Sequence, residues 1–119
     1  RQAAELLKVI KHDKARMAGS KTIIDLGNNN RLTREEVSAI FEELKDQPLV
    51  IVVNTAVPRG WRDANNQLIN EEALKYSNIK VVDWFQKSEN HPEYFAPDGV
   101  HLIPAGITAY VAAISDYLY

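Results

Sequence analysis

The stretch Pro48-Leu49-Val50-Ile51-Val52-Val53-Asn54 decides the fold. A strand with one wet face alternates apolar and polar residues, whereas Leu49–Val53 is apolar at every position. That pattern belongs to a strand buried on both faces, as in a parallel sheet between two helical layers. Two shorter β-rich runs flank it, Thr22–Leu26 and Ile79–Asp83. Between and around the three runs the apolar residues return at helical spacing. Ala3, Leu6, Leu7 and Ile10 predict a helix near residues 2–17. Thr33 and Glu36 have the spacing of a capping box, followed by an apolar face of Val37, Ile40, Phe41 and Leu44. Leu68, Ile69, Ala73 and Tyr76 mark a third helix. A long polar and aromatic loop then runs to Leu102, and Pro104 opens a last helix with an expected core stripe of Ile107, Tyr110, Val111, Ile114 and Leu118. The order α-β-α-β-α-β-loop-α predicts an α/β fold, a three-layer α/β/α sandwich with a parallel sheet.

The 119 residues form one domain or part of one, with an ordinary 45% apolar and 25% charged content. A net charge of −2 and the lack of basic–aromatic interleaving give no pull toward nucleic acid. Without cysteine there is no disulfide, thiolate zinc site or cysteine nucleophile. This suits a cytoplasmic protein as well as an extracellular protein of a Gram-positive bacterium. No apolar run has membrane-spanning length. Residues 1–5 run into a helix with no cap or leader, so the chain is expected to start mid-domain.

In a parallel α/β sheet ligands bind outside the carboxyl ends of the strands. Three loops follow such ends: Gly27–Asn30, Asn54–Trp61 and Trp84–His101. The last holds Asp98-Gly99-Val100-His101. An Asp three residues before a His can accept the imidazole Nδ1–H and leave Nε2 free as a base. The plain alternative is a surface turn. Asn29 is a candidate oxyanion donor through its side-chain amide, against a role in turn chemistry. Asn54, Thr55, Arg59 and Trp61 are candidates to line a substrate groove, with Trp61 offering a face to a sugar ring or else packing over the sheet edge. His91, with Asp98 and His101, could be imagined as a metal site, but the spacing favours no geometry, and neither a metal nor another cofactor is expected. No serine stands at a strand-to-helix elbow: Ser20 precedes a strand, Ser38 and Ser115 fall within helices, Ser77 ends one and Ser88 lies in a polar loop.

These residues resemble the SGNH (GDSL-like) hydrolases, and more narrowly the extracellular domain of peptidoglycan O-acetyltransferases that also carry a membrane acyltransferase domain. The matching pieces are Asp25-Leu26-Gly27-Asn28-Asn29, Asp98-Gly99-Val100-His101, the stretch Val53–Trp61 and Val82-Asp83-Trp84. The resemblance covers essentially the whole chain. It implies a flavodoxin-like sandwich in which a Ser attacks an acyl ester, activated by His101 and Asp98, with Asn29 in the oxyanion hole. It implies transfer of an acetyl group from an acyl donor to a hydroxyl of cell-wall N-acetylmuramic acid, on the outer face of a Gram-positive membrane, anchored by a segment outside this chain. The family's Ser block and first strands have no counterpart here. Residues 1–119 are therefore expected to be the carboxyl-terminal part of a single domain, inactive alone and completed by an amino-terminal segment or second chain carrying the Ser. The alternatives are a carbohydrate esterase and a non-catalytic carbohydrate-binding or scaffold module.

Overall fold

The computed structural model describes residues 3–17, 19, 21–28 and 30–118. Its elements are α1 (Ala3–Met17), β1 (Lys21–Asp25), α2 (Arg34–Glu43), β2 (Leu49–Val53), α3 (Arg62–Ala73), β3 (Ile79–Val82), α4 (Trp84–Ser88), a 3-10 turn (Pro92–Tyr94) and α5 (Pro104–Leu118). The strands form a parallel sheet in the order β1-β2-β3, with Ile23 opposite Ile51 and Val53 opposite Val82. The fold is the expected α/β sandwich.

β2 is central, and its alternate side chains feed two cores. Val50 and Val52 join Ile24, Ile40, Phe41 and Ile69 under α1, α2 and α3. Ile51 and Val53 join Val82, Trp84 and Ala113 under α4 and α5. Four of the five β2 residues, Val50–Val53, are 0% exposed, which accounts for the unbroken apolar run. The capping box forms as expected: Thr33 N–H donates to Glu36 Oε1 (2.9 Å) and Glu36 N–H to Thr33 Oγ1 (3.2 Å). Helix α3 is fixed to the start of α2 by Arg34, which donates to Glu71 and to the buried Glu72, both at 2.7 Å.

Three features differ from the sequence expectation. The third helix begins at Arg62 and ends at Ala73, leaving Tyr76 in the turn beyond it, where its ring meets Phe41 edge-on at 6.0 Å. The loop after β3 contains α4, because Asp83 caps it by accepting Gln86 N–H (3.0 Å) and Trp84 is drawn into the core. On α5 the expected core stripe splits. Tyr110, Ala113 and Ile114 face the sheet, while Ile107 and Val111 are 50% and 55% exposed. A spacing of four keeps Ile107 and Val111 on one face of the helix, and no described element covers it.

Candidate active site

Asp98 organises its own loop before it does any chemistry. One carboxylate oxygen, Oδ1, accepts the backbone N–H groups of Val100 (2.8 Å) and His101 (3.0 Å). The turn requires a left-handed residue, supplied by Gly99 at φ +72°. The other oxygen, Oδ2, lies 2.5 Å from His101 Nδ1. The imidazole beside it, with those two amides, holds the Asp98 carboxyl down at about 2. Near neutral pH Asp98 is therefore an anion that can only accept, so the neutral form of the imidazole carries its hydrogen on Nδ1 and its lone pair on Nε2. The His101 side chain is 80% exposed, and none of the described residues hydrogen-bonds Nε2.

This loop is clamped from behind. Phe95 and Leu102 form an antiparallel bridge, and Ala96 N–H donates to His101 C=O at 2.8 Å. Trp84 underlies it, stacked on Tyr94 (5.9 Å, 15°) and meeting Tyr110 edge-on (5.1 Å, 80°). Ile103 N–H donates to Tyr94 C=O, and Gly106 sits so close that a Cβ there would fall 2.0 Å from that same oxygen. Only a glycine lets α5 start here. His91 stacks on the outer face of Tyr94 (4.6 Å) and pairs with Glu93 (2.8 Å), which occupies it away from His101.

The turn after β1 is built differently. Asp25 accepts from Tyr110 Oη and from Asn28 Nδ2, each at 3.0 Å, tying β1 to α5. Although Asp25 has an exposed face, its carboxyl is crowded by protein, and this desolvation raises its pKa against the two hydrogen bonds. Burial, reinforced by the Asp25 charge, likewise pushes the Tyr110 phenol well above its ordinary value. Beyond Gly27 (φ +93°) the turn leans on Asn65 of α3, which is 0% exposed. Asn65 Oδ1 accepts Leu32 N–H (2.8 Å), while Nδ2 donates to the carbonyls of Gly27 (3.2 Å) and Asn30 (2.8 Å).

The neighbouring Asn66 does the same for the loop after β2. It accepts Thr55 N–H (3.0 Å) and donates to Thr55 C=O (2.8 Å), in the manner of a strand partner. Pro58 of that loop reaches the dyad loop, where a Cβ on Gly99 would lie 3.2 Å from its ring. Between the loops is a cleft of about 250 Å³, whose lining includes Asp25, Asn28, Val57, Trp84, Val100 and Leu102. A larger groove of about 400 Å³ lies along α3 and α4, and the lining of neither includes Asp98 or His101. The smaller cleft is where the three carboxyl-end loops meet, through Asn28, Val57 and Val100, the last a member of the Asp98–His101 loop.

No family model matches the chain. It is 40% identical over 100 residues to the peptidoglycan O-acetyltransferase OatA of Listeria monocytogenes, a match covering 83% of this chain and 16% of that protein. It is 38% identical over 91 residues to the O-acetyltransferase OatA of Staphylococcus aureus (76% of this chain, 15% of that protein). YrhL of Bacillus subtilis matches 96% of this chain at 34% identity, over 18% of its own length. The chain is a homologue of one segment of the peptidoglycan O-acetyltransferases. It spans less than a fifth of the length of these relatives.

Within this OatA-like segment the sequence-predicted residues divide. Asp98 and His101 are paired at the carboxyl edge of the sheet. Asn29 lies outside the described residues, as does Ser20; the flanking Gly27, Asn28 and Asn30 are held as above. Asn54 is buried and structural in its bonds, donating to Asp83 (3.0 Å) and accepting Phe85 N–H (3.0 Å), although it also borders the cleft. Thr55 is 0% exposed, its hydroxyl accepting Val57 N–H. Arg59 is exposed, and Trp61 is half-buried at the start of α3. Ser38 and Ser115 lie in α2 and α5, Ser77 precedes β3, and Ser88 is buried with its hydroxyl on Phe85 C=O. Sequence reasoning passed over Asn65, Asn66 and the Tyr110 hydroxyl. The signal for the first two was there: adjacent asparagines inside a helix are poor helix formers and call for a tertiary reason.

Proposed function

We propose that the chain carries the His–Asp half and the oxyanion turn of an SGNH-type O-acyltransferase site, with the Ser supplied by a segment or chain beyond these residues. The observation that carries this reading is the Asp98–His101 pair, with Nε2 unengaged by the described residues, in a segment homologous to O-acetyltransferases. His101 Nε2 would take the proton of the incoming Ser hydroxyl as it attacks an acetyl ester. Asn29 would donate to the oxyanion of the tetrahedral intermediate, which collapses to an acyl-serine and releases the donor's oxygen with the proton from His101. A hydroxyl of N-acetylmuramic acid then loses its proton to Nε2 as it attacks the acyl-serine, and the Ser–acyl bond breaks to give the acetylated sugar while His101 returns the proton to the Ser oxygen. Asp98, ionised across the physiological range, holds the ring and stabilises the imidazolium in both halves of the cycle.

The outer edge of β1, which no described strand pairs, supports a further partner, because an open sheet edge invites another strand. Ile23 on β1 is 48% exposed, and Ile107 and Val111 of α5 are also uncovered. A strand carrying the Ser beside β1 would bury apolar surface and bring a hydroxyl toward His101. The site would then work at the outer face of a Gram-positive membrane, anchored elsewhere in the polypeptide.

The test is acyl turnover of a chromogenic acetyl ester by the full-length protein. His101→Ala is expected to abolish it, and Asn29→Ala to lower it by roughly 10²–10³-fold, the usual scale for an oxyanion donor. Chelators are expected to leave it intact. Adding the Ser-bearing segment to residues 1–119 should restore turnover. Wild-type rates in both variants would sink the proposal, and no turnover by the wild-type protein would leave a carbohydrate-binding or scaffold module. Acetate release with no acetylated glycan product would make the protein an esterase.

A further inference from the structure

The two halves of the site draw their order from different places, and α3 supplies one of them. Asn65 is a side chain with 0% exposure whose amide saturates one oxygen and both N–H hydrogens on a single stretch of backbone, residues 27–32. A buried amide finds this many partners only where the segment it meets has been shaped to it. The fit is close on the other side as well. A Cβ at Gly27 would meet Asn65 Cβ and Thr55 Cγ2, both at 3.3 Å. Asn65 cannot shift to relieve it, because α3 is held to α2 through Arg34, Glu71 and Glu72.

We propose that Asn65 is the positioning residue of the oxyanion turn, fixing from α3 the backbone on both sides of Asn29. Its three hydrogen bonds go to Gly27 and Asn30, which bracket that residue, and to Leu32. The role rests on the oxyanion reading of Asn29. Asn65 touches no reacting atom and acts through the turn, so its loss reaches the rate of the chemical step and not the binding of the ground state. Asn66, the next residue of the same helix, holds Thr55 instead, so the two adjacent amides serve different loops.

The experiment compares Asn65→Ala, Asn65→Asp, Asn66→Ala and Asn29→Ala in the full-length protein, using chromogenic ester kinetics and hydrogen exchange of the peptide covering residues 27–33. Asp has the size of Asn and keeps the acceptor for Leu32, but it turns a second oxygen toward the Gly27 and Asn30 carbonyls. Both Asn65 variants should lose about 10²-fold in kcat, the scale of a misplaced catalytic group, with KM little changed. Exchange in 27–33 should accelerate in both. Asn66→Ala should leave exchange there slow and act on KM. The double variant Asn29→Ala/Asn65→Ala should be no slower than Asn29→Ala, because Asn65 works through that residue. Full kcat in a folded Asn65→Asp beside an impaired Asn29→Ala would overturn the proposal, as would losses that add. Where Asn65→Ala fails to fold, the Asp variant decides. Undiminished kcat in Asn29→Ala would remove the oxyanion reading itself. Exchange in 27–33 would then still tell whether Asn65 fixes the turn, and slow exchange in Asn65→Asp would end the claim.

Discussion

The Asp98–His101 loop and the Gly27–Leu32 turn face one another across the same cleft, yet they are ordered by opposite means. The dyad loop is nearly self-sufficient: one carboxylate, reaching no further than three residues along the chain, holds two amides and an imidazole in open solvent. The turn is held by an amide 33 to 38 residues away, inside the protein. A base must be reachable and can be built locally. On the reading proposed above, an oxyanion donor must already be in place when charge develops, and that rigidity is borrowed from the core. Damage to the first region should therefore appear in activity with little change in stability, and damage to the second in both.

The strongest challenge to this contrast is Gly106→Ala. The dyad's internal bonds are local, but its seat on Tyr94 is not, and a methyl group 2.0 Å from the Tyr94 carbonyl oxygen must displace α5. We expect a loss of about 3 kcal/mol or more, at or beyond the upper end of overpacking costs, read as a fall in the denaturant midpoint. Next comes Asn65→Ala, which strands a buried N–H and two carbonyls. About 2–3 kcal/mol is expected on the scale of unsatisfied buried polar groups, checked in the same denaturation series. Gly27→Ala should follow at about 1–3 kcal/mol, for a side chain forced to φ +93° against Asn65 and Thr55. A value near zero for either of these two would mean that the turn is not held by the core.

Asp98→Asn should have the smallest effect on folding and one of the largest on turnover. Asn keeps the acceptor for the Val100 and His101 amides but loses the charge beside His101, so the neutral-pH melting temperature should fall slightly while activity collapses. The difference belongs to acid. Asp98 has a folded pKa of about 2, below the usual ~3.9, so its contribution to stability is present above about pH 4 and lost as pH falls toward 2. Melting curves of wild type and variant, recorded between these limits, should converge toward the acid end. Parallel curves would show that the carboxylate does not pair with His101 in solution.

The same contrast governs what could be read from the sequence. Asp98 and His101 are legible because their geometry is set by spacing, as is the Thr33–Glu36 capping box. The continuous run Leu49–Val53 announces a strand with two covered faces. Asn65 is not legible, since nothing in Asn65-Asn66 names Gly27, Asn30 or Leu32 as partners; at most its low helix propensity marks it as out of place. α4 was hidden because five residues held by Asp83 and the burial of Trp84 leave no periodic trace. On α5, periodicity marked Ile107 and Val111 as apolar, but it cannot say which apolar residues a neighbouring element reaches.

Trp84 offers one last consequence. It is one of only two tryptophans, buried at 5% exposure among Tyr94, Phe95 and Tyr110, directly beneath the loop that presents His101. With Trp61 replaced by Phe, the indole becomes a single built-in optical gauge of this half of the cleft. Its emission should be blue-shifted while the aromatic stack is closed and move to the red as that stack loosens. Assembly with a Ser-bearing segment could then be followed without label or substrate, in a stopped-flow cuvette, before any ester is turned over.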